Sequence, residues 1–236
     1  MTLLLHPRQA NVRHLVRETA RAFHAGPRIH PSRAAYEFYP TPPEATRALL
    51  AAEPFPGSIW EPACGTGWIA KELEAAGHAV VATDLVDYGY GQANRDFLAE
   101  RQALATHVVT NPPYGRGLGD AFCRHALALT KSTGGKVAML LPIHSLCHPI
   151  RHPFFTQHPP SIIYALDECH CYPYGDPSQA TSSLMKQRYC WIVWDHGFSG
   201  PTRFQWLTTA PYRKSVQQSS AQPILLLRKP PRLLVA

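Results

Sequence analysis

The 236-residue sequence predicts an α/β domain whose mostly parallel sheet is covered by helices on both faces. Three observations carry this. Short apolar runs recur at residues 107–110, 136–141, 162–166 and 189–194, and they read as strands buried on both sides. A helical pattern separates two of them, over 120–130. Upstream, a strand to Trp60, a Gly-containing turn, a helix from Trp68 to Ala76 and a strand from Ala79 to Thr83 form one βαβ unit.

The remaining elements follow in chain order. Residues 11–24 predict a helix with Val12, Leu15, Val16, Ala20 and Phe23 on one side, while Arg13, Arg17 and Arg21 recur every four residues. That basic stripe is either a solvated face or a phosphate contact. Gly26 and Pro27 end it, and a loop carrying Arg28 and Arg33 leads to Tyr39-Pro40-Thr41-Pro42-Pro43. Pro43 suits the first turn of a short helix running to Ala52. The stretch from Asp84 to Val108 is too short for a full helix and a long strand, so that unit is abbreviated. Residues 36–212 thus form the domain, 1–35 a basic helix and loop, and 213–236 a tail whose polar start and Arg228-Lys229-Pro230-Pro231-Arg232 run read as a mobile appendage.

Composition narrows the function classes. Hydrophobic residues make up 45% of the chain, and the longest apolar runs, such as 137–141, are far too short to cross a bilayer. No membrane partner is expected. Leu3-Leu4-Leu5 followed by His6-Pro7-Arg8 lacks the order of a secretory signal. The six cysteines lack the spacing of a disulfide scaffold, which points to a reducing, cytoplasmic compartment. A formal charge of +7 suits a polyanion such as nucleic acid. Cys169-His170-Cys171, with His144, His148 and His152 upstream, has no paired Cys-x-x-Cys, so no metal is expected.

Two constellations carry chemistry. In Glu61-Pro62-Ala63-Cys64-Gly65-Thr66-Gly67, the glycines let backbone approach a ligand and the next helix offers free N–H donors. Asp84, at the end of the following strand, stands where a carboxylate accepts ribose hydroxyls. Together they indicate a nucleoside-containing ligand. Ala70 replaces the third glycine of a dinucleotide fingerprint, which leaves a pyrophosphate ligand open. The second constellation is Asn111-Pro112-Pro113-Tyr114. A nucleobase amine is a weak nucleophile because its lone pair is delocalised into the ring. An Asn oxygen and a neighbouring carbonyl that accept both amine hydrogens draw the lone pair out of conjugation. Prolines hold those acceptors, and the aromatic ring offers a stacking surface.

In this order the motifs resemble the amino-methyltransferases of DNA, in the subgroup whose cofactor motif precedes the catalytic one, as in many N6-adenine methyltransferases. The resemblance covers roughly residues 36–145 and implies a Rossmann-like fold that binds S-adenosylmethionine. It assigns Tyr39, Thr41 and Pro42 to the N-terminal cofactor segment, with Thr41 on the methionine carboxylate. Glu61, Pro62, Ala63, Cys64, Gly65 and Gly67 fall in the cofactor loop, Asp84 with Leu85 at the ribose, and Asp96 and Phe97 at the cofactor adenine. Asn111, Pro112, Pro113 and Tyr114 become the catalytic tetrapeptide at the end of the family's fourth strand, acting on an adenine flipped out of DNA and stacked on Tyr114. The chain has no room for a large recognition domain. Residues 144–188 are the compact candidate, with Arg151, His152, Lys186 and Arg188 reaching phosphates, against the plainer reading of an irregular connection. Adenine in RNA, the N4 amine of cytosine, and a cofactor-binding module without catalysis stay open as alternatives.

Overall fold

The computed structural model describes residues 34–213. The helix expected over 11–24, Arg28, Arg33 and the tail beyond Arg213 lie outside the described residues. In chain order the elements are α1 (Pro43–Ala52), β1 (Ile59–Glu61), α2 (Trp68–Ala75), β2 (Val80–Ala82), β3 (His107–Thr110), α3 (Leu118–Thr130), β4 (Lys136–Pro142), α4 (His152–Gln157), β5 (Ile162–Leu166), α5 (Ser182–Lys186), β6 (Tyr189–Asp195) and β7 (Arg203–Leu207).

Among the described residues the strands form one seven-stranded sheet in the order β2-β1-β3-β4-β6-β5-β7. β6 runs antiparallel to both neighbours, and every other pairing is parallel. The strand order reverses direction between β1 and β3, which places a crevice beyond their carboxyl ends. Three elements were not expected: β7 and the short helices α4 and α5. β7 is an edge strand with four of its five residues exposed, so it lacks the apolar run that marks a buried strand. The Asn-Pro-Pro-Tyr segment follows the third strand of this chain and not a fourth. Between β2 and β3 the chain forms one isolated bridge, Thr83 with Gln92, and a single 3-10 turn at Phe97–Ala99.

Side-chain alternation along the central strands builds two cores. Val109, Ala138, Leu140, Trp191 and Val193 point to one face, where Ala45 and Leu49 of α1 and Ile69 and Leu73 of α2 cover them. Val108, Val137, Met139, Leu141, Cys190, Ile192 and Trp194 point to the other, against Phe122, Cys123, Ala126 and Leu127 of α3 and Phe154 of α4. Burial on both faces explains why these strands read as continuous apolar runs.

Polar ties lock the layers. The Trp191 indole N–H donates to the Ala45 carbonyl at 3.0 Å. Arg47 grips Glu72 of α2 at 2.6 Å and donates to the Tyr212 carbonyl at 2.8 Å, joining α1, α2 and the last described turn. Glu53, just past α1, accepts from Lys136 at 2.5 Å and from the Tyr164 hydroxyl at 2.7 Å. A buried carboxylate needs such partners to offset its lost hydration.

The tightest backbone approach in this layer is at Gly135, where an added Cβ would lie 1.8 Å from the Thr106 carbonyl oxygen. Since that neighbour is backbone, Gly135→Ala should destabilise the protein by on the order of 3 kcal/mol through forced separation of β3 from β4. Urea denaturation of the two proteins reads this directly, and an unchanged midpoint would contradict the close approach.

Candidate active site

A cleft of about 890 Å3, mouth included, opens at the carboxyl ends of β1, β2 and β3. Its wall includes Tyr39 and Thr41 from the segment before α1, Glu61 to Gly65 from the turn after β1, Asp84 and Leu85 after β2, Asp96 and Phe97, and Asn111 and Pro113 after β3. Pro42 and Gly67 are not wall residues; both stand at N-caps, Pro42 of α1 and Gly67 of α2.

Asp84 fastens this wall. Its Oδ2 accepts from the Gly65 backbone N–H at 2.8 Å and its Oδ1 from Val86 at 2.9 Å, so one carboxylate joins the turn after β1 to the loop after β2. Each oxygen keeps lone-pair capacity for a further donor. Gly65 has φ +52, and a Cβ there would lie 2.6 Å from the Phe38 ring, so only glycine meets both demands. Phe38 stacks on Tyr88 with ring centroids 4.4 Å apart. Tyr36, Phe38, Tyr88 and Arg95 are wall residues that the motif reading did not single out; the aromatic density of 36–39 and 88–90 was their signal. Tyr36 and Glu37 sit at φ 53 and 58, and Tyr174, which donates its backbone N–H to the Phe38 carbonyl, at φ 55. Strained non-glycine backbone is thus concentrated at the rim of this cleft.

Two polar atoms in the wall have no hydrogen-bond partner. Glu61 Oε2 and Thr41 Oγ1 are unpaired, each in a residue only 2% exposed. An acceptor and a hydroxyl of this kind match a ligand that carries an ammonium and a carboxylate. Burial pushes the Glu61 carboxyl well above its ordinary range, against the hydrogen bond from the Ala70 backbone, and the Asp84 charge adds to the rise. Asp84 is raised as well, again by burial first. Asp96 accepts from the Leu98 N–H at 3.0 Å, capping the turn that sets Phe97 in place. Phe97 is 2% exposed and packs edge-on against Trp60 at 5.0 Å, so its ring belongs to the core as much as to the cleft.

A second cleft, of about 1600 Å3 with its mouth included, lies beyond Tyr39, which lines both. Its other wall residues include Tyr114, Asp120, Leu141, His144, Ser145, Arg151, Thr181, Ser183, Leu184, Gln187 and Tyr189. The region expected to recognise a substrate therefore supplies much of this wall. Of the four basic residues expected to reach phosphates, Arg151 alone lines it, paired with Asp120 at 2.6 Å. His152, Lys186 and Arg188 are exposed and lie outside it.

Between the clefts stands the Asn111 amide. Its Nδ2 donates to the Tyr39 carbonyl at 3.0 Å, which fixes which end of the amide is oxygen. Its Oδ1 accepts from the Tyr114 hydroxyl. That hydroxyl also lies 3.0 Å from the Leu140 carbonyl. The Tyr114 ring packs against both core clusters and is tilted 35° to Tyr189 at 6.3 Å, so it is not presented as a free stacking plate. Pro112 is buried and lines neither cleft. Cys169 and Cys171 lie buried in the same cluster as Tyr189, their sulfurs 3.9 Å apart.

The charge is distributed unevenly. Of 23 Lys and Arg and 16 Asp and Glu, residues 34–213 hold 13 and 15, a net −2, so segments 1–33 and 214–236 carry the whole positive excess. No helix among the described residues is long and apolar enough to cross a membrane.

The Glu61 environment predicts a pH effect. A carboxyl raised by burial keeps its proton in the native state at pH values where the unfolded chain, near its ordinary 4.5, has released it. The native state then binds more protons, so stability falls as pH rises through that window. Glu61→Gln removes this titration. Its free form should equal the wild type in stability below pH 4.5 and exceed it at neutrality, as urea midpoints across the range would show. Parallel pH profiles would contradict the assignment.

No protein-family model matches this sequence, and no curated protein matches it either. Solved structures do. A modification subunit of a putative type I restriction enzyme from Vibrio vulnificus is 16% identical with a TM-score of 0.47, over 87% of this chain and 53% of that one. The M protein of the type I restriction enzyme EcoKI is 14% identical with a TM-score of 0.47, over 68% of this chain and 44% of that one. The glycopeptide N-methyltransferase MtfA, complexed with sinefungin, is 21% identical with a TM-score of 0.35, over 44% of this chain and 56% of that one. This chain thus spans about half the length of each of these proteins.

Proposed function

We propose that this protein is an S-adenosylmethionine-dependent methyltransferase acting on the exocyclic N6 amine of adenine in DNA. The observation that carries the reading is the Asn111 amide, which lines the first cleft and bonds Tyr39, a residue of both clefts, and Tyr114, a residue of the second. The first cleft fits the cofactor through its unpaired atoms. Glu61 Oε2 would accept from the methionine ammonium and Thr41 would donate to the carboxylate. Asp84 would take the ribose hydroxyls on its remaining lone pairs, with Leu85, Asp96 and Phe97 beside the cofactor adenine. When bound, the cofactor supplies an activated methyl group whose leaving group is a neutral thioether.

The chain's own task is to make an aromatic amine nucleophilic and to hold it in line. Asn111 Oδ1 accepts one amine hydrogen, and the carbonyl of Pro112, a residue that lines neither cleft before a base enters, would accept the other, so that the lone pair leaves the ring's conjugation and faces the first cleft. Pro112 and Pro113 hold the backbone that aims these acceptors. The target base enters from the second cleft, whose wall includes Tyr114 and Tyr189 and where Arg151 is within reach of a phosphate by exchange from Asp120. Holding nitrogen and methyl at near-attack distance supplies much of the acceleration. The proton released from the amine passes to water. Since residues 34–213 carry a net −2, long-range attraction for a polyanion falls to the basic segments 1–33 and 214–236.

Tritiated S-adenosylmethionine incubated with DNA and with RNA, followed by nucleoside analysis of the product, tests the reading. N6-methyladenine in DNA is the expected product; label in RNA or in cytosine would replace that assignment, and no transfer to either polymer would end it. Asn111→Ala should lower transfer by about 100-fold or more, with cofactor affinity by calorimetry nearly unchanged. Asp84→Ala should weaken cofactor binding by roughly tenfold or more, the loss of charged hydrogen bonds. Full activity in Asn111→Ala would remove the basis of the mechanism.

A further inference from the structure

The Tyr114 hydroxyl has one proton and two acceptors. Asn111 Oδ1 takes it, while the Leu140 carbonyl waits 3.0 Å away. The amide cannot evade this contact by flipping, because Nδ2 is tied to the Tyr39 carbonyl at 3.0 Å. Yet Oδ1 is the atom that the proposed chemistry assigns to the target amine. We infer that Tyr114 is a positioning residue acting through Asn111: its hydroxyl takes one of the amide oxygen's two lone-pair sites and weakens the other, and a base amine binds best once that hydroxyl has turned onto the Leu140 carbonyl.

The geometry makes such an exchange cheap. Rotation of one O–H moves the proton from Oδ1 to the carbonyl of β4, so no buried donor is orphaned and the ring stays packed between the two core clusters. An incoming group must offer an N–H to Oδ1 at least as well as a phenol does. A base that presents only a carbonyl at that position cannot, so the contact filters for amine-bearing bases as well as delaying them. An acceptor already engaged by a hydroxyl is also a weaker acceptor for the amine. The competition therefore falls on substrate binding and not on the methyl donor.

The inference rests on the methyltransferase reading, and its test separates the two. Full-length wild type, Tyr114→Phe and Tyr114→Ala are compared with tritiated S-adenosylmethionine and mixed-sequence DNA, single- and double-stranded, or RNA if RNA is the polymer labelled. Tyr114→Phe keeps the ring and removes the competitor. It should lower KM for the polymer by about 3- to 10-fold, the worth of one hydrogen bond, with cofactor affinity unchanged. Tyr114→Ala, which loses the ring, should lower turnover. A hydroxyl that only supported the fold would give the opposite sign, with KM for the polymer unchanged or raised in Tyr114→Phe. That result, in an active wild type, overturns the inference and leaves the methyltransferase reading intact. A wild type that labels neither polymer overturns both.

Discussion

A single side-chain amide joins three parts of the chain that are distant in sequence. Asn111, at the end of β3, donates to the carbonyl of Tyr39 before α1 and accepts from Tyr114, whose hydroxyl also reaches Leu140 in β4. The orientation of this amide is fixed by chemistry, since a carbonyl can receive only from the nitrogen end. The wall between the two clefts depends on it. Without the Tyr39 bond the amide oxygen loses its direction.

Around that amide the protein tolerates polarity it has not paired. Glu61 and Thr41 keep unpartnered atoms in buried side chains, and Asp84 is raised by the same desolvation that raises Glu61. Two carboxylates and strained backbone at Tyr36 and Glu37 converge on one cleft, whereas the two cores behind it are apolar and filled. The rigid part is the sheet, with Trp60 and Trp191 fully buried and their indole N–H groups bonded to Thr83 and Ala45. Stability is concentrated where the strands pack, while Glu61 Oε2 and Thr41 Oγ1, two of the six buried unpaired polar atoms among the described residues, lie in the wall where a ligand would complete them.

Much of the fold was legible because its signals are local. The strands at 107–110 and 162–166 are bounded as the apolar runs suggested, and the abbreviated unit after Asp84 followed from chain length alone. β7 was not legible, because an exposed edge strand needs no apolar run. The short helices α4 and α5 were missed for a related reason: at six and five residues they are set by tertiary packing and a Thr181 cap, not by periodicity. In the site, glycines and carboxylates announced themselves by spacing. The inward packing of Tyr114 did not, since a motif gives the identity of an aromatic residue but not its rotamer. The positive charge read from composition was real, but residues 34–213 by themselves carry a net −2, which the total conceals.

The two clefts share Tyr39 and otherwise have different wall residues. Nothing in the walls obliges one to fill before the other. On the methyltransferase reading, walls that differ in all but Tyr39 favour a random order of addition over a compulsory one. On that reading spent donor is exchanged while a long polymer remains in place, the arrangement that successive events along one strand require.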